Sequence, residues 1–125
     1  MFEATFTITA QVESDVQGQH VYRVWKHADP INDDGLLSLL LKIYEQDVLT
    51  TLQVGDDLRV YVHLDLPPRE IEKILHFRED GRFEGEGLAE PGRDLRMLIA
   101  SMFEYYRPHV QSGDVFTISL QVQRN

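Results

Sequence analysis

Cysteine is absent from all 125 residues. That excludes disulfides, thiolate metal sites and cysteine nucleophiles, and it suits a reducing compartment, so a cytoplasmic protein is expected. No apolar run approaches the roughly 18 residues that a membrane-spanning helix needs. The opening residues, MFEATFTITA, lack a basic segment followed by an apolar one, so no signal peptide is expected. Positive charge is scarce as well: 12 Lys and Arg stand against 21 Asp and Glu, for a formal charge of −9 and a pI near 4.9. A chain this acidic repels a phosphate backbone, so direct nucleic-acid binding is not expected, whereas a basic protein partner would be drawn in.

Catalytic signatures are missing too. The five histidines, His20, His27, His63, His76 and His109, show no HExxH or other compact ligand spacing. There is no G-x-S-x-G, and Ser101 and Ser119 fall inside expected regular elements. The GEG of Gly85–Gly87 lies in a segment, residues 79–90, with five acids and only Arg82 as a cation, so its net −4 opposes a phosphate-binding role. Paired carboxylates such as Asp33-Asp34 and Asp56-Asp57 fall where helix caps and solvation account for them. Neither a cofactor nor a metal is expected.

Patterned strands and helices are what the chain does have, at 42% hydrophobic content. Glu3 to Glu13 alternates, with Ala4, Phe6, Ile8, Ala10 and Val12 on one face. A turn near Gly18 leads to a second strand over 19–27, paired with the first as a hairpin, whose inward face is left open by its residue types. After ADPINDDG, a helix is expected from about Asp33 to Leu52, on the spacing of Leu36, Leu37, Leu40, Leu41, Tyr44, Val48 and Leu52. Strand Asp57 to Leu66 follows, apolar at Leu58, Val60, Val62, Leu64 and Leu66. PPREIEKIL reads as a short helix started by Pro67 or Pro68 and buried through Ile71, Ile74 and Leu75. A weak strand over Arg82–Gly87, a strong helix over about Arg93–Arg107 and a last strand, Val115–Gln123, complete the chain. One domain over 1–125 is expected: an α+β two-layer sandwich, with a mainly antiparallel sheet and helices on one face.

Two phrases repeat. LQVGDDLRVYVHL and VQSGDVFTISLQV place Gly55-Asp56 and Gly113-Asp114 58 positions apart, each between an apolar-striped helix and an alternating strand. This suggests a pseudo-repeat, with halves of about 1–66 and 67–125, each ending in helix–Gly-Asp–strand. A repeat of this kind is a folding unit and does not imply chemistry.

Three functional readings compete. In the first, Asp29, Asp33, Asp34, Glu79, Asp80, Glu84, Glu86 and Glu90 form an acidic surface that masks a basic, nucleic-acid-handling partner without catalysis. The composition is similar to that of small acidic α+β proteins such as toxin-immunity and phage counter-defence proteins, an analogy of class with no motif behind it. In the second, the outward sheet face, with Trp25, Arg59, Tyr61, His63 and Asp65, serves a small ligand or an enzyme reaction. In the third, that face only joins two subunits of a homodimer.

Overall fold

The computed structural model describes residues 1–14, 19–64, 69–79, 81–85 and 110–125. Its strands are β1 (Phe2–Ser14), β2 (Val21–Val24), β3 (Ile31–Asn32), β4 (Asp57–Leu64), β5 (Arg69–Phe77), β6 (Phe83–Gly85) and β7 (Val115–Arg124). They form one sheet in the order β3-β2-β1-β7-β4-β5-β6, and every neighbouring pair is antiparallel. The last strand of the chain lies at the centre, between β1 and β4. Alternation carries one apolar row per strand to one face. Ile8, Ala10 and Val12, then Leu58, Val60, Val62 and Leu64, then Phe116, Ile118, Leu120 and Val122 are all buried there. On β2 the inward face, which residue type left open, is Tyr22 and Val24, joined by His20 just before the strand. This is a mostly sheet fold with some helix, compatible with the α+β class.

The helical layer on that face is α1 (Asp33–Ile43), a π-helical turn over Tyr44–Val48 and α2 (Leu49–Thr51). Asn32 caps the start, its side chain accepting from the Gly35 N–H at 2.8 Å. Asp33 and Asp34 occupy the first turn, where the helix dipole favours them. Leu36, Leu40, Val48 and Leu52 are buried and Tyr44 half-buried, so the stripe recurs every fourth residue. In an α-helix four residues overshoot one turn by about 40°, and the wider π turn in mid-course counters that drift.

One expected element is overturned. The segment read as a short helix is strand β5, paired with β4 from Asp57 opposite His76 to Leu64 opposite Arg69. The i, i+3, i+4 spacing of Ile71, Ile74 and Leu75 mimics a helix, but eight cross-strand pairs with β4 outweigh that local preference. Ile74, expected to be buried, is 41% exposed on the opposite face, and Leu75 alone of the adjacent pair enters the core. Two smaller differences follow from pairing as well. The second strand is shorter than 19–27, and Ile31–Asn32, expected in a loop, adds to it as β3. The expected helix over Arg93–Arg107, the turn at Gly18, Pro67, Pro68 and the end of strand Asp57–Leu66 lie outside the described residues.

The repeated phrase is a repeated turn. In Gln53–Asp56 the Asp56 N–H donates to the Gln53 carbonyl at 2.9 Å, and the Asp56 carboxylate accepts from the Gln53 N–H at 2.8 Å. Gln111–Asp114 makes the same two bonds, at 3.0 and 2.8 Å. Gly55 and Gly113 have φ of 92° and 93°. The turns sit at opposite ends of the sheet: β4 starts level with Gln123 and β7 starts level with Gln11. An added Cβ would meet nothing within 4 Å at either glycine, so any penalty there is that of the backbone alone. Gly55→Ala and Gly113→Ala are each expected to lower stability by about 1–2 kcal/mol. The double variant should show the sum in urea unfolding, because about 25 Å of strand separates the turns; a markedly smaller sum would mean the turns are coupled.

Candidate binding face

The face of the sheet opposite the helix is built from the polar rows of the strands. Register places Glu3, Gln123, Asp57, His76 and Glu84 in one row across five strands. The next rows are Thr5, Gln121, Arg59 and Ile74, then Thr7, Ser119, Tyr61 and Glu72. A further row holds Thr9, Thr117 and His63, and Trp25 extends it by donating its backbone N–H to the Thr9 carbonyl at 2.9 Å.

Hydrogen bonds fix the middle of this face. Ser119 and Gln121 are 1% and 7% exposed, although they stand on the polar side; they lie on the central strand, between Thr7 and Thr5 of β1 and Tyr61 and Arg59 of β4. The Gln121 amide donates to Glu3 Oε1 at 2.6 Å and Thr5 Oγ1 at 3.1 Å. Its Oε1 accepts from Gln123 at 3.0 Å. The hydroxyls of Thr9 and Thr117 meet at 3.2 Å. The Arg59 guanidinium lies 4.3 Å from the centre of the Tyr61 ring and pairs with Glu72 at 2.5 Å. Asp57 pairs with His76. Two large apolar side chains remain exposed at the margins, Trp25 at 50% and Ile74 at 41%.

Of the residues expected on this face, Arg59, Tyr61 and His63 therefore come together on β4. Trp25 lies three strands away, at about 14 Å between strand lines, and Asp65 is outside the described residues. The burial of Ser119 and Gln121 was not legible in their residue types, since only the strand order puts them at the centre.

The described members of the acidic set fall at two places. Asp29, Asp33 and Asp34 flank β3 at one edge of the sheet, whereas Glu79 precedes β6 and Glu84 lies within it at the other. Six strand spacings separate those edges, about 29 Å. Asp33 accepts from the Tyr22 hydroxyl at 2.5 Å, and Glu84 pairs with Arg78 at 2.8 Å, so two of the five have structural roles. Asp80, Glu86 and Glu90 lie outside the described residues.

A polar cavity of about 370 Å³ opens at the sheet end, lined by Glu3, Gln53, Gly55, Asp57 and Gln123 among others. At its wall Arg124 grips Asp56 through Nε and Nη2, both at 2.8 Å, and donates to the Thr51 carbonyl at 3.0 Å. The Arg124 hydrogen bonds hold the Asp56 carboxyl below the usual carboxylate range, against burial, and the same bonds raise Arg124. Both carboxylate oxygens are engaged, so the pair ties the helix end to the last strand. Burial, and secondarily the neighbouring Glu45, pushes the Tyr44 phenol up. Among the described residues no three His, Asp or Glu side chains converge to hold a metal ion, and no helix is long and apolar enough to cross a membrane. Comparison with protein-family models, curated proteins and solved structures finds no match to this chain.

Proposed function

We propose that this chain is a non-enzymatic binding protein that recognises a basic protein partner through the polar sheet face. The observation that carries the reading is the ordered polar centre of that face, ringed by the Arg59–Tyr61 stack and by exposed Trp25 and Ile74. Aromatic and arginine side chains on a rigid base are the types that anchor protein interfaces. The described side chains of this face include five carboxylates, Glu3, Glu13, Asp57, Glu72 and Glu84, against three arginines, Arg23, Arg59 and Arg78, the last paired with Glu84. That excess favours a basic partner, of which a nucleic-acid-handling protein is one class. A cytoplasmic setting, a two-layer sandwich over the whole chain and a duplicated helix–Gly-Asp–strand unit belong to the same proposal, the last supported by the twin turns.

The test compares recovery of partners from a lysate of the source cells by three tagged proteins, at low and high salt. Trp25→Ala with Tyr61→Ala is expected to lose the salt-sensitive partner that the unaltered protein retains. Asp29→Lys with Glu79→Lys, at opposite edges and off that face, is expected to keep it. The reverse pattern would transfer recognition to the acidic loops, and retention by both variants would remove it from this face.

A further inference from the structure

The edges of this sheet are unequal. β3 and β6 offer only two and three residues, whereas β1 has 13, and β2 pairs only with its upper part, from Ala10 to Ser14. Lys26, at φ 67°, turns the chain away directly after Trp25 meets Thr9. Phe2 to Ile8 is thereby left with no described strand on that side. The N–H and C=O of Val12 both bond towards β7, and the β1–β7 register is unbroken from Phe2 to Gln11. Even-numbered residues of β1 therefore address β7, and odd-numbered ones address the free edge. Glu3, Thr5 and Thr7, all exposed, direct three N–H and three C=O groups outwards. The stretch has no proline, lysine, arginine or bulge to discourage pairing.

We infer that this edge binds a second copy of the chain, β1 against β1, about a two-fold axis through Thr5 and normal to the sheet. The free run is centred on Thr5, an edge-facing residue, so one symmetric register uses all of it. Thr5 meets the partner's Thr5, and Glu3 meets the partner's Thr7, with six backbone hydrogen bonds formed and no like charges opposed. On the apolar side small Ala4 meets the partner's bulky Phe6. Phe2, 40% exposed, falls opposite the partner's Ile8. There a notch of about 380 Å³ is lined by Ile8, Val24, Trp25, Leu39 and Ile43 together with polar residues that include Lys26 and His27. The occupant is thus specified from both sides: an exposed phenylalanine on one copy and a notch with an apolar wall at its register position on the other. The axis keeps both helices on one side and gives a continuous sheet of 14 strands, twice the seven of one copy. This inference concerns the backbone edge of β1; Trp25 and Thr5 belong to the polar face as well, so the dimer is read by mass in solution and not by partner recovery.

Sedimentation equilibrium across micromolar concentrations tests it. The unaltered protein is expected at twice the monomer mass. Thr5→Lys and Thr5→Glu each place like charges face to face on the axis and should weaken the dimer by about tenfold or more, while an equimolar mixture of the two should restore it. Thr5→Pro removes an N–H that addresses the free edge and leaves the β7 ladder whole, so it should give a folded monomer by circular dichroism. A monomeric unaltered protein would overturn the inference. So would a dimer that survives all three substitutions, since its interface would lie elsewhere.

Discussion

Replacing Leu120 with alanine is expected to lower the unfolding free energy by about 4 kcal/mol. Leu120 is 1% exposed and stands on the central strand, opposite Phe6 of β1 and Val60 of β4. The truncation removes apolar atoms from the best-enclosed layer of the core. Both flanking strands are held by long ladders, so the backbone has little freedom to close the void. A domain of this size has a total stability of about 5–15 kcal/mol, so the loss is a large share of it and should lower the melting temperature by about 15 °C. Thr7→Ala, an exposed site one row away on the other face, should change stability by less than about 0.5 kcal/mol. Thermal and urea unfolding of the two variants side by side checks the contrast, and near-equal effects would contradict the assignment of the two faces.

Replacing Asp56 with alanine ranks second, with an expected loss of about 2–3 kcal/mol from the charge-assisted hydrogen bonds of a buried carboxylate. Asp56 is 1% exposed and serves two partners at once, the Gln53 N–H of its own turn and the guanidinium of Arg124. Asp114 closes the twin turn in the same way, and no arginine bonds to it among the described residues, so Asp114→Ala should cost less. The pair also gives a pH signature. The carboxyl of Asp56 is held below its ordinary value in the folded protein, so its contribution is complete above the unfolded-state pKa of about 3.9. It disappears as the pH falls through the lower folded value, when the proton displaces the arginine. Asp56→Asn should therefore be less stable than the unaltered protein at neutral pH, and the gap should narrow in acid. A gap that stays constant down to low pH would show that the charge of Asp56 contributes nothing.

Much of the fold was legible because period and turn chemistry act locally. Alternation set the inward rows of β1, β4 and β7, and the leucine spacing with Asp33 and Asp34 marked the helix start. Gly55-Asp56 and Gly113-Asp114 marked two turns whose glycines need positive φ. The failure at β5 is equally physical: a run with Ile71, Ile74 and Leu75 satisfies a helical stripe on paper, and only an available partner strand makes it extended. The candidate face divides the same way. Arg59, Tyr61 and His63 share a side because they alternate along one strand. The chain by itself therefore determined what each segment can hide from water and where it must turn. The tertiary structure alone decided that the last strand lies at the centre, which buries Ser119 and Gln121, brings Arg124 to Asp56 across 68 positions, parts the described acidic residues to opposite edges and leaves Phe2 to Ile8 of β1 with no described strand on one side. Those outcomes depend on strand order, and strand order is settled by contacts between residues far apart in the chain, which no local pattern of residues encodes.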